Sequence, residues 1–299
     1  MDGFQTRVAE AAEAMRELFP ATPCQHNVYL SDIYGAQVFL KREDLSPVRS
    51  YKIRGAYNFF RKRLGEGGPD YFVCASAGNH AQGFAYVCNR LKKRGVVFMP
   101  VTTPQQKIGK TRAFGGDYIE IKLVGDIFDQ CNAAALAFAA QNDALMVPPF
   151  DHPDIIEGQA TVAHELMAQM DGRSIDHLFV AVGGGGLSSG LTLYFDAAGQ
   201  TPAMHLLEPA GAPSLKTSLE AGSRVKLNQV DNFVDGASVA LVGEHTFDVL
   251  QRYEPVDVTL ISEDRLCTSL IDMLNIEGMV LEPAGVMAVD ALKDLDPEA

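Results

Sequence analysis

The sequence predicts an α/β protein whose parallel sheets are covered by helices on both faces. Two observations carry this expectation. Short apolar strands alternate with amphipathic helices along nearly all of the 299 residues, which is the rhythm of βα units wound into parallel sheets. Two glycine-bearing stretches, "CASAGNHAQG" (74–83) and "VAVGGGGLSSG" (180–190), each fall where a strand gives way to a helix. Open α/β sheets bind their ligands at such junctions.

Taken in order, the opening "MDGFQTRVAEAAEAMRELFP" spaces its apolar residues helically. It has neither the basic start nor the apolar run of a signal peptide, so a cytoplasmic location is expected. "AQVFLKRE" (36–43) reads as a strand, followed by a helix through "YKIRGAYNFFRKRL" with Lys52 one turn inside it. Strand "YFVCAS" (71–76) leads to a helix opening at about Asn79, and strand "GVVFMP" (95–100) to a helix from Thr103. Strand "DYIEIK" (117–122) precedes a helix over 126–141. The rhythm then repeats: a helix near 155–170, strand "HLFVAV" (177–182), a helix from Leu187 and strand "AMHLLEP" (203–209). Strand "VTLIS" (258–262) and helices over 263–276 and 284–293 complete it. No repeat, low-complexity segment or flexible linker divides the chain, so any second domain is expected to be inserted and packed against the first.

Composition narrows the functional classes. With 47% hydrophobic and 21% charged residues, a large core is available. A net charge of −13 without any basic stripe argues against a nucleic-acid partner. "CNAAALAFAA" is too short and alanine-rich to span a bilayer, so no membrane partner is expected. Cys24, Cys74, Cys88, Cys131 and Cys267 are scattered and form no C-x-x-C pair, which suits a reducing compartment better than a disulfide framework.

The chemistry is expected at the two junctions. Gly183–Gly186 run consecutively, which costs backbone entropy in a plain connection but lets several amides turn inward at a helix start. The stretch matches neither the dinucleotide fingerprint nor a Walker loop, so it suits one phosphate better than a nucleotide chain. In the other junction, free amides around Ser76, Asn79 and His80 suit a carboxylate. Taken alone, Asn79 reads more readily as a helix cap and His80 as a core histidine. H-E-x-x-H does not occur. A lysine, a phosphate cup and a carboxylate site together suggest a cofactor with one phosphate and an aldehyde.

With those groups in place, the chain resembles a known family. "LKREDLSPVRSYKIRGA" (40–56), "SAGNHAQG" (76–83), "GGGGL" (183–187), "FVDGA" (233–237) and "EPAG" (282–285) follow one another as in threonine dehydratases. These are serine/threonine ammonia-lyases among the pyridoxal-phosphate enzymes of fold type II, which are related to the tryptophan synthase β-subunit. The resemblance implies two doubly wound three-layer α/β domains with the cofactor between them: a large one over 1–70 and 149–299, and a small one over 71–148. Lys52 would carry pyridoxal 5'-phosphate as a Schiff base. Gly183, Gly184, Gly185 and Gly186 would hold its phosphate, with Leu187 among the cofactor contacts, and Asn79 would meet the ring's 3-hydroxyl oxygen. Gly236 would let the backbone lie close to the ring, with Glu282 nearby. The loop of Ser76, Ala77, Gly78, Asn79 and His80 would bind the substrate carboxylate.

The implied reaction is β-elimination. The freed Lys52 amine takes the α-proton, the cofactor absorbs the resulting charge, and the β-hydroxyl leaves, with the cofactor phosphate as candidate proton donor. L-Threonine would give 2-oxobutanoate and ammonia in the first step of isoleucine synthesis, and serine would give pyruvate as a side reaction. The partner is thus a small amino acid, and a homo-oligomer (dimer or tetramer) is implied. Serine racemase-like and 3-hydroxyaspartate dehydratase activities are the alternatives. The family's racemases have a proton-bearing serine at the position of Ala77, which argues for dehydration without racemisation. Their cation site would retain Glu208 but meet Ser214 where a second acid belongs, so no metal is expected. The family continues into a serine- and glycine-rich turn at the pyridine nitrogen and, in feedback-regulated members, an allosteric domain. The sequence stops at Ala299, before both. The expectation is weaker cofactor retention, lower stability and no isoleucine inhibition, or else a cofactor-binding protein that is catalytically idle.

Overall fold

A computed structural model describes residues 2–253 and 257–295; the last four residues of the expected large domain, 296–299, lie outside the described residues. The chain opens with helix α1 (Asp2–Met15), strand β1 (Cys24–His26), helix α2 (Val28–Tyr34) and strand β2 (Phe39–Lys41). The strand expected at 36–43 is corrected here: it is shortened to β2, and it pairs antiparallel with β1 in a two-stranded ribbon, Gln25 opposite Leu40. Asn27 caps the intervening α2 by accepting from the Leu30 amide at 2.8 Å, and Gly35 closes that helix in the left-handed region.

Helix α3 (Lys52–Gly65) leads into the first parallel sheet: β3 (Tyr71–Ala75), α4 (Asn79–Leu91), β4 (Arg94–Met99), α5 (Gln105–Gly115), β5 (Ile119–Leu123), α6 (Phe128–Gln141) and β6 (Leu145–Met146). Its order is β5-β4-β3-β6 and every pairing is parallel. Alternation along the strands sends side chains to two cores. Phe72, Cys74, Val97 and Met99 meet Phe60, Phe84 and Val87 of α3 and α4 on one face. Val73, Ala75, Val96 and Phe98 meet Cys131, Ala135 and Ala139 of α6 on the other.

Helix α7 (Pro153–Gln169) crosses to the second sheet, made of β7 (His177–Ala181), α8 (Gly186–Ala197), β8 (Ala203–Pro209), α9 (Ser214–Ala221), α10 (Glu244–Leu250), β9 (Asp257–Ile261), α11 (Glu263–Glu277) and α12 (Pro283–Asp290). Its order is β7-β8-β9, again parallel throughout. Val180, Leu206 and Val258 pack towards α7 and α8, while Leu207 and Ile261 pack towards α11 and α12. The helix expected over 284–293 turns into a 3-10 segment at Ala291.

The two halves are joined where helices touch backbone to backbone. A Cβ on Gly158 of α7 would lie 2.7 Å from both Arg54 O and Gly55 Cα of α3, and one on Gly190 of α8 would lie 2.6 Å from Ile156 O of α7. Only glycine permits such approaches. Next to the first crossing the fully buried Arg54 donates to Glu43 and Glu165, and Glu165 also receives Lys41 and Arg16. Buried charge of this kind persists only when each partner is satisfied.

Candidate active site

Lys52 is the first residue of α3, with Tyr51 at the cap, so it opens the helix instead of lying a turn inside it. Its amine donates to Pro149 O at 3.1 Å and lies 5.3 Å and 5.8 Å from the ring centroids of Tyr51 and Phe150. Burial pulls its pKa down from 10.5 to about 8, against the opposing pull of the Glu282 carboxylate. A charged amine is costly in such a place, and a neutral amine is a nucleophile and a base.

The glycine run follows β7 as expected. Gly185 caps α8 at φ +88°, in the left-handed region that favours glycine. The amides of residues 183–188 donate to no acceptor among the described residues, and the first helical bond runs from Ser189 N to Gly185 O. Free donors turned to one side of a helix start form an anion cup. A Cβ on Gly184 would lie 2.2–2.4 Å from the Phe150 ring, and one on Gly183 would lie 3.0 Å from Ala237 O.

At the other junction Gly78, not Asn79, stands at the cap of α4 and makes no side-chain cap bond. The amides of Ala77, Asn79, His80 and Ala81 are unpaired among the described residues, while Gly78 N donates to Ser76 Oγ at 3.2 Å. The Asn79 side chain reaches Glu282 in the other half, at 2.8 and 3.0 Å. The Glu282 carboxylate in turn faces Gly236, where a Cβ would meet its Oε1 at 3.2 Å. His80 is a core histidine by its side chain, with Nε2 3.0 Å from Val147 O. Burial first, then the nearby Lys52, push its pKa to about 3. Its imidazole is therefore neutral at any working pH, and only its amide faces the junction as a free donor.

Sequence reasoning missed the segment Pro149–Phe150–Asp151, which touches the amine, the cup and the α10 helix in succession. The run "PPFDHP" was its one trace, a proline-flanked aromatic just before a helix. It also missed Thr246, for which there was no local signal. Glu208 is fully buried and its oxygens take the amides of Leu215 and Lys216 at 2.7 and 2.9 Å. Burial moves its pKa up to about 7, opposed by those hydrogen bonds. Among the described residues no group of three or more His, Cys, Asp and Glu could hold a metal, and no helix is long and apolar enough to cross a membrane.

The residues fit a compact anionic cofactor with a carbonyl. Besides the cup there are orphaned buried polar atoms at Ser50 Oγ, Gln82 Oε1 and Ser238 Oγ, each two residues from Lys52, His80 or Gly236. An amine held near neutrality, an anion cup and a second set of free amides, set on two parallel sheets, define an enzyme of the pyridoxal-phosphate class. The chain belongs to the pyridoxal-phosphate dependent enzyme family, whose model matches residues 15–299. It is 42% identical to the biosynthetic L-threonine dehydratase IlvA of Halalkalibacterium halodurans over 282 residues, which is 94% of this chain and 68% of that protein. The corresponding protein of Staphylococcus aureus is 41% identical over 290 residues, 96% of this chain and 68% of that one. Among solved structures, the processed form of threonine deaminase isoform 2 from Solanum lycopersicum is 36% identical with a TM-score of 0.86, covering 96% of this chain and 82% of that one. The threonine deaminase of T.th. is 31% identical with a TM-score of 0.88, covering 97% of this chain and 92% of that one. The fold is the type II fold of this family, and its cofactor is pyridoxal phosphate.

Proposed function

We propose that this chain is a threonine ammonia-lyase, converting L-threonine to 2-oxobutanoate and ammonia at the start of isoleucine synthesis, with serine turned over more slowly to pyruvate. The observation that carries this reading is the pairing of Lys52, its pKa brought down to about 8, with the unpaired amides of residues 183–188. The names of the relatives at 42% and 41% identity supply the substrate. Pyridoxal phosphate, when bound, supplies an electron sink for charge developing at the substrate's α-carbon.

The rest is done by the chain. Lys52 would hold the cofactor's aldehyde carbon and, once displaced by substrate, take the α-proton on its neutral Nζ. Gly183–Gly186 and Leu187 would grip the phosphate through their amides. Asn79 would turn its Nδ2 to the ring oxygen, with Glu282 and Gly236 flanking the ring. The loop of Ser76, Ala77, Gly78, Asn79 and His80 would bind the substrate carboxylate at the head of α4 through the free amides of Ala77, Asn79 and His80, with Ser76 Oγ bracing the turn at the Gly78 amide. Ala77 carries a methyl where inversion of the α-carbon would need a second proton carrier, which favours elimination. One methyl separates threonine from serine, so discrimination amounts to about 1–3 kcal/mol.

Residues 71–148 would form the small domain and 1–70 with 149–299 the large one, the cofactor lying between them. The chain would work in the cytoplasm as a homo-oligomer; the exposed apolar side chains of Val28, Ile33, Ile271, Leu274 and Val280 support the assembly, and light scattering would give its size. The test of function is threonine-dependent ketoacid release by the parent and by Lys52→Ala, together with borohydride reduction and peptide mapping. Loss of at least ~10³-fold in turnover is expected in the variant. An undiminished rate, or a label on another lysine, would overturn the reading.

A further inference from the structure

The glycine cup is aimed by a side chain that lies behind it. Thr246, fully buried in α10, donates from Oγ1 to Gly184 O at 2.7 Å, and Gly243 N reaches the same oxygen at 3.3 Å. A trans peptide is planar, with its C=O and N–H pointing in opposite directions. Holding the Gly184 carbonyl towards α10 therefore turns the Gly185 N–H the other way. That amide is one of those left without a protein acceptor among the described residues. Thr246 is itself held on two sides: its carbonyl accepts from Ser189 Oγ at 3.2 Å, and a Cβ on Gly185 would meet its Cβ at 2.8 Å. At the head of the same helix, Asp151 accepts from Glu244 N and His245 N, both at 2.8 Å.

We propose that Thr246 is a positioning residue for the phosphate of the cofactor, fixing the Gly184–Gly185 peptide so that its N–H faces the anion, with Asp151 anchoring the helix that carries it. This rests on the reading of residues 183–187 as the phosphate cup. Without the hydroxyl, the Gly184 carbonyl keeps only the longer bond from Gly243, and the peptide is free to rotate its donor away. The loss should be felt by a ligand that carries the phosphate and not by one that lacks it.

The experiment titrates the apoprotein with pyridoxal phosphate and with pyridoxal by absorbance, and records the phosphorus NMR shift of the bound phosphate. In Thr246→Val, pyridoxal phosphate should bind about tenfold or more weakly, the scale of one hydrogen bond to a charged group. Pyridoxal should be unaffected, and the phosphorus shift should move. Thr246→Ser, which keeps the hydroxyl, should restore the parent ratio of the two affinities. Asp151→Asn, which loses one of two acceptors at the head of α10, should reduce that ratio in the same direction, and this keeps the test available if the valine variant does not fold. Equal losses for both ligands, no loss for either, or a serine variant as impaired as the valine one would overturn the proposal. If the parent itself shows no preference for the phosphorylated ligand, the cup reading fails, and the role of Thr246 fails with it.

Discussion

Asn79 Nδ2 donates to both carboxylate oxygens of Glu282, at 2.8 and 3.0 Å, across 203 residues of sequence. The contact ties the head of α4, in the four-stranded half, to the residue that caps α12 in the other half. Burial raises the Glu282 pKa and the Asn79 hydrogen bond opposes this, while the carboxylate holds the Lys52 amine above the value that burial alone would give.

Glu282→Gln should therefore lower the Lys52 pKa further, since a neutral amide keeps the shape but drops the attraction for the ammonium. The pH midpoint for cofactor capture by the apoprotein, followed by stopped-flow absorbance, should move below that of the parent. A midpoint that stays put would show that the carboxylate is too screened to matter.

In the parent, that midpoint should lie near pH 8. Below it the amine is protonated and unreactive, so the capture rate should climb about tenfold per pH step and flatten above the midpoint. The same depression makes a linkage prediction. Between about 8 and 10.5 the unfolded chain holds a proton at Lys52 that the folded one has released, so this group's contribution to stability rises with pH across that window. Rates that keep climbing to pH 10 would refute the low value.

Acid behaviour should be governed elsewhere, at Glu165. Desolvation acts to raise its pKa, but Arg54 and Lys41 together outweigh it and hold the group at about 2 against an ordinary 4.5. Its contribution is complete above pH 4.5 and lost as the pH falls towards 2; by linkage it amounts to about 3 kcal/mol. Glu165→Gln should lose about that much in urea unfolding at pH 7, with the gap to the parent narrowing steadily in acid.

Two glycine substitutions should have opposite signs. Gly158→Ala drives a methyl into backbone atoms of α3 at 2.7 Å, and should cost about 1–3 kcal/mol while disturbing the helix that carries Lys52. Gly109→Ala in α5 meets nothing within 4 Å, and should stabilise by about 0.5–1 kcal/mol. Chemical denaturation of both variants checks the pair.

What could be read from the sequence follows from how local each feature's cause is. Strands β3 and β4 feed two cores by strict alternation, so their residues announce them. β6 has two residues, and α2 and α10 have seven each, too few for a period to emerge. The β1–β2 ribbon escapes a sequence reading because a three-residue antiparallel pair looks, one strand at a time, like the start of a parallel unit. Lys52 opens a helix, Asn79 and the glycine run lie at strand–helix junctions, and all three sit in stretches of distinctive composition. Phe150 and Thr246 matter through long-range contacts, such as those with Gly184, 34 and 62 residues away, and such contacts exist only after the chain has packed. His80 illustrates a further limit: its imidazole went to the core and left only its amide to the junction.

The three residues from Pro149 to Asp151 have a consequence for how this protein can evolve. One carbonyl steadies the amine, the next ring props the anion cradle, and the following carboxylate anchors the brace behind it. The covalent and ionic holds on a ligand are thereby yoked through one short tether. Tightening either by mutation perturbs the other, so paired substitutions at positions 52 and 150 should combine non-additively.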